Sequence, residues 1–234
     1  MASGTNNGHR RRSTMMAAAV LTVVCSVVAG CGGSEFIYVA NSDEKTYFRI
    51  PSEWQQVDQT PIDDYFMAEN PDSAVGQIRK QLQWSVAYDA DVEPTPRHMT
   101  SSLSNDSPIL YATVRHLPEP EQNRVSYDFL RDIFTPVVTT ASRNAMQQAG
   151  YDLSSFELLL DEILPTGEGG LRGVRVIFNL EIGGVIHTFD QTSWANADSS
   201  ILYLLLIRCT AKCYRERAVE IDDIATSFTV RSSP

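Results

Sequence analysis

The sequence predicts an α+β fold, in which a largely antiparallel β-sheet of about six to seven strands is packed with helices. Three observations lead to this prediction. Segments of alternating apolar and polar residues recur along the chain, Gly183-Gly184 separates two of them as a hairpin turn would, and apolar residues near the C-terminus recur at helical spacing. Strands that follow one another with helices inserted between them are typical of antiparallel meanders.

The strand candidates are short runs bounded by turn residues. In chain order they cover residues 35–39, 46–50, 81–90, 109–117, 156–164, 172–182, 185–195 and 200–208. The segment 81–90 alternates, which places Trp84, Val86 and Tyr88 on one face of a strand. The run 201–207 is apolar apart from Tyr203, and this predicts a central strand that is buried on both faces.

Helices are expected in the middle of the chain and at its end. The first covers residues 126–134. Thr135-Pro136 then has the pattern of an N-cap followed by proline at the first helical position, so a second helix is predicted over residues 137–149, with Gly150 ending it. An amphipathic helix is predicted over residues 214–228, where it would pack on the sheet.

Residues 91–108 are predicted to form an exposed loop. Asp89, Asp91 and Glu93 alternate where this loop begins, and such carboxylates could bind Ca²⁺. We favour the simpler interpretation that they mark a solvated end of a strand.

The N-terminal residues have the composition of an export signal. His9-Arg10-Arg11-Arg12 is basic, and residues 15–28 form an apolar run of about 14 residues. A membrane-spanning helix needs roughly 20 residues, so this run is too short to cross a bilayer comfortably. It has the length and the basic flank that are typical of a signal peptide.

The apolar run ends in Val28-Ala29-Gly30-Cys31. This tetrapeptide resembles the lipobox of bacterial lipoproteins. The resemblance implies that the Cys31 thiol carries acyl chains such as palmitate, that the chain is cut before Cys31, and that the lipid holds the protein in the cell membrane on its extracytoplasmic face. An ordinary secretory signal that ends near a cysteine is the alternative. The predicted organisation is a signal peptide at 1–30, a lipidated cysteine and short tether at 31–35, and a single α+β domain at 36–234.

The remaining cysteines form a pair. Cys25 would leave with the signal peptide and Cys31 would be acylated, so Cys209 and Cys213 are left in an oxidising compartment. We predict a disulfide between them, which requires a turn or the start of a helix across residues 210–212, because an extended strand would hold them too far apart. A redox-active pair and a two-cysteine metal site are the alternatives.

Three sequence segments carry a second resemblance. They are residues 47–54 (YFRIPSEW), residues 170–175 (GLRGVR) before the Gly183-Gly184 turn, and residues 224–230 (IATSFTV). Their order along the chain resembles the Mog1/PsbP-like α+β fold, including its lipoprotein branch in actinobacteria. The resemblance implies a non-enzymatic binding or accessory module and carries over no catalytic residue.

The sequence predicts no catalytic residue, no metal site and no cofactor. The histidines that follow Cys31 fall in no metal-binding or nucleophile-activating motif; they are His98, His116 and His187. Arg172 and Arg175 are interpreted as exposed charges on a strand.

Aromatic residues offer the only candidate for a ligand site. Trp54, Tyr88 and Tyr111, together with the loop 91–108, could line a cleft between sheet and helix, where small ligands commonly bind. A purely structural role in the core is the alternative for Trp54 and Tyr88.

The negative net charge of the chain excludes some classes of binding partner. The chain has a formal net charge of −10, and removal of residues 1–30 would take away three arginines and no acidic residue. Such a protein is a poor candidate for nucleic-acid binding. We expect a non-enzymatic binding or accessory module of the cell envelope, anchored in the lipid bilayer through Cys31, which recognises an envelope protein or a small ligand. A hydrolase of envelope lipid or glycan is the alternative, and a structural protein without a ligand is a third.

Overall fold

The apolar run 201–207 lies in the middle strand of a seven-stranded sheet. This is seen in a computed structural model, which describes Met1 and residues 34–67, 70–102 and 106–231. Apart from Met1, the predicted signal peptide and the predicted lipidation site Cys31 lie outside the described residues.

The described residues form ten strands. They are β1 (Phe36–Asn41), β2 (Thr46–Pro51), β3 (Gln55–Val57), β4 (Gln83–Asp89), β5 (Ile109–His116), β6 (Glu157–Leu164), β7 (Arg172–Ile182), β8 (Val185–Ala195), β9 (Ile201–Thr210) and β10 (Thr229–Val230). Seven of them form one sheet in the order β3-β4-β5-β9-β8-β7-β6, and all neighbours are antiparallel. A second, smaller antiparallel sheet has the order β1-β2-β10. The predicted α+β class is confirmed, and β3 is a strand that the sequence did not predict.

Helices connect and cover the strands. In the described residues they are α1 (Thr60–Met67), α2 (Ala74–Gln81), α3 (Arg97–Thr100), α4 (Glu119–Gln122), α5 (Tyr127–Arg131), α6 (Thr140–Gln148), α7 (Ala211–Glu216) and α8 (Ala218–Ser227). The predicted C-terminal helix is therefore two helices, which are separated at Arg217, where φ is −114° and ψ is 19°. No helix in the described ranges is long and apolar enough to cross a membrane.

The predicted start of α6 is wrong. Thr135 does not cap a helix, because the Asp132 carboxylate accepts hydrogen bonds from the N–H groups of Val138 and Thr139 and so holds the intervening chain in a turn. Thr139 is the N-cap, and its side chain accepts a hydrogen bond from the first turn of α6. Gly150 follows the helix with a φ of 92°, a left-handed conformation that favours glycine and agrees with the predicted stop.

The two faces of β9 point into two separate cores. We call one the α1 core; its buried residues include Ile62, Met99, Leu130, Leu204 and Leu206. We call the other the α8 core; its buried residues include Ile50, Leu205, Ile207, Ile221 and Ile224. Residues 202–210 of β9 are all buried, so the prediction of a central strand with two covered faces is confirmed.

Arg175 is not the exposed strand charge that was predicted. It is 8% exposed, and its guanidinium donates from Nε and Nη2 to both carboxylate oxygens of Asp190, at 3.0 and 2.7 Å. Nη1 donates to Asp222 of α8, and the Tyr214 hydroxyl of α7 donates to Asp190. The charge is buried because α7 and α8 cover this face of the sheet, and its two carboxylate partners come from β8 and α8. Arg172 is half-buried and donates to the Val125 carbonyl.

The predicted solvated strand end at Asp89 is also wrong. Asp89 is fully buried and accepts hydrogen bonds from the N–H groups of Asp91 and Thr95, at 3.0 and 2.9 Å. Its second oxygen also lies 2.7 Å from Nδ1 of His98 in α3. These contacts fold the beginning of the predicted loop 91–108 back over the end of β4.

The predicted disulfide between Cys209 and Cys213 is confirmed. The two Cα atoms are 6.0 Å apart, because α7 begins at Ala211 and turns the chain directly after β9. Thr210 caps this helix, since its hydroxyl accepts a hydrogen bond from the Cys213 N–H at 3.2 Å. The disulfide therefore joins the end of β9, the central strand, to the first turn of α7.

We expect the disulfide to make a modest, local contribution to stability. It closes a short loop, so the chain-entropy model predicts a loss of roughly 2 kcal/mol in the free energy of unfolding when both cysteines are changed to alanine. Urea unfolding with and without reductant measures this. Reductant should destabilise the wild-type chain and leave the doubly substituted chain unchanged; equal stability of all samples would contradict the prediction.

Candidate functional site

The three aromatic residues that were predicted to line a cleft do not share one. Trp54, Tyr88 and Tyr111 are all buried, the first two in the α8 core and the third in the α1 core. Tyr111 pairs with Ala87 of β4, the residue that precedes Tyr88. Because consecutive residues of a strand point to opposite faces of the sheet, Tyr111 and Tyr88 lie on opposite sides. The Tyr111 hydroxyl donates to Asp63 at 2.6 Å, which fixes its position within the α1 core.

A cleft is present instead on the α1-core side of the sheet. We call it the α1 cleft; it has a volume of about 390 Å³, within the range of small-molecule sites. Its lining is mostly apolar and includes Phe66, Met99, Val137, Met146, Leu153, Leu180 and Phe189. Asp152 and Glu181 line it from exposed positions, whereas the third charged residue of its lining, Arg208, is buried.

Arg208 brings a positive charge to this cleft. It is 3% exposed, and alternation along β9 places it on the same face as Leu204 and Leu206. Its Nη1 and Nη2 atoms donate to the backbone carbonyls of Met99 and Ser101, at 2.6 and 2.8 Å, and its Nε–H has no partner in the described structure. Burial lowers the pKa of Arg208 to about 10, so the side chain is still protonated at neutral pH.

The cation lies against an aromatic ring and near a histidine. Cζ of Arg208 is 5.4 Å from the ring centroid of Phe189, a distance at which the ring face attracts a cation. His187 lies two residues from Phe189 on the same face of β8 and is 1% exposed. Burial first, and the Arg208 charge second, lower the pKa of His187 to about 4. His187 is therefore neutral at pH 7 and adds no second charge.

A second groove lies between β2 and the helices α7 and α8. It has a volume of about 450 Å³, and its lining includes the acidic residues Glu35, Glu53, Glu216, Glu220 and Asp223. Its arginines already have partners: Arg217 donates to both oxygens of Glu220 at 3.0 and 2.7 Å, and Arg49 lies 4.7 Å above the ring of Phe36. Its larger volume alone does not make this groove the stronger candidate, because both of its arginines already have partners in the described structure.

Two histidines form contacts with carboxylates. His98 lies 2.7 Å from Asp89, and Nε2 of His116 lies 2.6 Å from Glu44. A carboxylate that orients a histidine is one component of general-base catalysis. Within the described ranges, no cluster of three or more His, Cys, Asp or Glu side chains is arranged to hold a metal ion.

The sequence analysis missed Arg208 as a site residue. Arg208 directly follows the apolar run 201–207, and the sequence predicted only that it is the last residue of a strand. Strand alternation was the available signal, because it places Arg208 on the face of Leu204 and Leu206 if that strand is buried on both sides. The apolar segments that form the rest of the cleft come from distant parts of the sequence, and only the fold brings them together.

We expect His187 to make stability dependent on pH. Its pKa in the folded chain is about 4, compared with 6.5 for an unperturbed histidine, so the unfolded chain binds a proton that the folded chain does not. Above pH 6.5 the neutral His187 does not reduce the free energy of unfolding. As the pH falls from 6.5 towards 4, that free energy decreases, because the unfolded chain takes up the proton first. Between pH 7 and 5 the free energy of unfolding of the wild-type chain should fall by roughly 2 kcal/mol more than that of a His187→Phe variant. Urea unfolding at the two pH values measures this; equal losses would mean that His187 is solvated.

Comparisons with known proteins identify similar structures. No protein-family model matches the sequence, and no curated protein matches it significantly. The solution structure of CyanoP, the cyanobacterial PsbP of Synechocystis, is 15% identical with a TM-score of 0.49, over 87% of this chain and 99% of that chain.

Two further solved structures are similar over most of the chain. LpqN of Mycobacterium tuberculosis, described as involved in cell envelope biogenesis, is 11% identical with a TM-score of 0.45, over 84% of this chain and 91% of that chain. The Ran-binding protein Mog1p of Saccharomyces cerevisiae is 10% identical with a TM-score of 0.41, over 83% of this chain and 95% of that chain. The names of these structures include PsbP and Mog1, the two classes of protein named in the resemblance described from the sequence.

Proposed function

We propose that this chain is a lipoprotein anchored in the cell membrane on its extracytoplasmic face. The observation that carries the proposal is Val28-Ala29-Gly30-Cys31, which stands directly after a basic stretch and a short apolar run. Two acyl chains on one cysteine would supply the two anchoring signals that stable membrane attachment requires.

The disulfide supports an extracytoplasmic location. Disulfides persist in oxidising compartments and are rare in the cytosol of most organisms. Cys209 and Cys213 are both 1% exposed and bonded to each other.

We further propose that the folded domain is a non-enzymatic binding module and that the α1 cleft is its ligand site. A mostly apolar cleft with a few polar groups converging on it is the usual form of a small-molecule site. The α1 cleft combines this lining with a buried cation, Arg208. A small ligand in the α1 cleft is therefore favoured over an envelope protein as the partner.

The anchor is tested by Cys31→Ala with Cys25→Ala as a matched control. Both cysteines lie near the end of the same apolar run, but only Cys31 follows the lipobox residues. In cells fed an alkyne analogue of palmitate, we expect the wild-type and Cys25→Ala chains to be labelled and to sediment with the membrane. The Cys31→Ala chain should be unlabelled, because no other thiol stands at a processing site.

Two results would contradict the anchor. Label retained in the Cys31→Ala chain would place the acyl group elsewhere. Absence of label from all three chains, with the protein recovered in the soluble fraction, would support an ordinary secretory signal.

A hydrolase acting on envelope lipid or glycan is the second candidate, and the contact between His98 and Asp89 favours it. The Asp89 carboxylate is fully buried and holds Nδ1 of His98 at 2.7 Å, as in catalytic pairs that orient a histidine base. Turnover of acyl esters or chitooligosaccharides that falls at least about a hundredfold in a His98→Gln variant would establish this candidate and overturn the non-enzymatic proposal. We expect no turnover from either chain.

A further inference from the structure

Arg208 differs from the other buried arginine of the large sheet. Arg175 is neutralised by Asp190 and Asp222, whereas Arg208 donates to backbone carbonyls and lies against an aromatic ring. In the described ranges, no carboxylate forms an ion pair with Arg208. A buried charge without a counter-ion is destabilising, so such a residue points to a ligand that completes it.

The geometry leaves the guanidinium able to bind one more group. Its Nη atoms are held by the carbonyls of Met99 and Ser101, which fixes the plane of the group. Its Nε–H is unused and is covered by neighbouring protein atoms, so a ligand reaches it when the lining side chains shift. An arginine can present its N–H groups to an anion as a rigid fork. The side chain is thus already positioned before any ligand arrives.

The remaining walls of the cleft favour hydrocarbon. Met146 of α6, Leu153, Leu180 of β7 and Phe66 of α1 all line it. A ligand that satisfied only the cation would leave this surface in contact with water, and a purely apolar ligand would leave the cation unpaired. Both requirements are met by a molecule with an anionic head and an alkyl chain.

We propose that the α1 cleft binds a single-chain amphiphile with a carboxylate head, of the fatty-acid class, and that Arg208 binds the head. This rests on the proposed binding function and specifies its ligand. One negative charge matches the one cation in the lining of the cleft, since the nearby His187 is neutral at pH 7. A dianionic phosphate would leave one negative charge without a partner near Asp152 and Glu181, which line the same cleft.

Photolabelling of the full chain tests this proposal. The probe is a dodecanoic acid that carries a diazirine on its alkyl chain, and every sample contains the same amount of phosphatidylcholine vesicles. We expect cross-links to residues of the α1 cleft such as Met146 and Leu180. Dodecanoate should compete at least about tenfold better than dodecanol, because only the carboxylate carries a negative charge that pairs with Arg208. Competitors shortened by one methylene should bind about fourfold more weakly.

Substitution of Arg208 provides a second test of the proposal. Arg208→Met replaces the guanidinium by an unbranched apolar side chain and should reduce labelling about tenfold or more. The change removes a buried charge but also leaves the carbonyls of Met99 and Ser101 without a donor, so labelling is compared in the folded variant. Arg115→Met is the matched control: Arg115 lies on the same sheet face in β5, and its Nε and one Nη also lack partners, but it lines a different cavity. Labelling of the cleft should be unchanged in that variant.

The outcomes separate the two proposals. Equal competition by dodecanoate and dodecanol in the wild-type chain would overturn the carboxylate assignment and leave the cleft as an apolar binding site. Unchanged labelling in a folded Arg208→Met chain would have the same meaning. Labelling that does not reach the cleft at all would overturn the proposed ligand site as well. The competition in the wild-type chain decides the assignment even if Arg208→Met does not fold.

Discussion

The architecture depends on one constraint, which is that β9 is buried on both faces. Strand geometry sends successive side chains to opposite sides, so each residue of β9 belongs either to the α1 core or to the α8 core. Leu206 and Leu205 are consecutive and enter different cores. The same rule sends Arg208 and Cys209 to opposite faces. Cys209 meets Cys213 of α7 in the α8 core, whereas Arg208 enters an apolar environment on the other side.

Arg175 and Arg208 are buried on opposite sides of the large sheet and have different partners. On the α8 side, Arg175 is bound by two carboxylates, one of which also accepts a hydrogen bond from Tyr214, and this network ties α7 and α8 to β7 and β8. Removing one partner from such a network leaves a buried charge, which is strongly destabilising. On the α1 side, Arg208 ties β9 to the backbone carbonyls of Met99 and Ser101, but in the described residues no carboxylate neutralises its charge. The proposed anionic ligand would supply that missing counter-charge.

Strand alternation made most of the large sheet predictable, since its strands are long and their apolar residues recur at period two. The helices α1 to α4 were not predicted. α3 and α4 have only four residues each, and α2 buries only Gly76 and so shows no apolar stripe. The start of α6 depends on Asp132, a side chain outside the helix, and the sequence pattern at Pro136 gave no sign of it. Sites were harder to predict for the same reason: the burial of Arg175 requires Asp222, which lies far away in sequence and close in space.

The α1 cleft lies on the face of the large sheet opposite to the α8 core. A lipid that binds in this cleft leaves the bilayer when it enters the protein. A single acyl chain associates with membranes only marginally and reversibly, whereas two chains hold a molecule firmly. This difference favours a single-chain amphiphile over a two-chain lipid as the occupant.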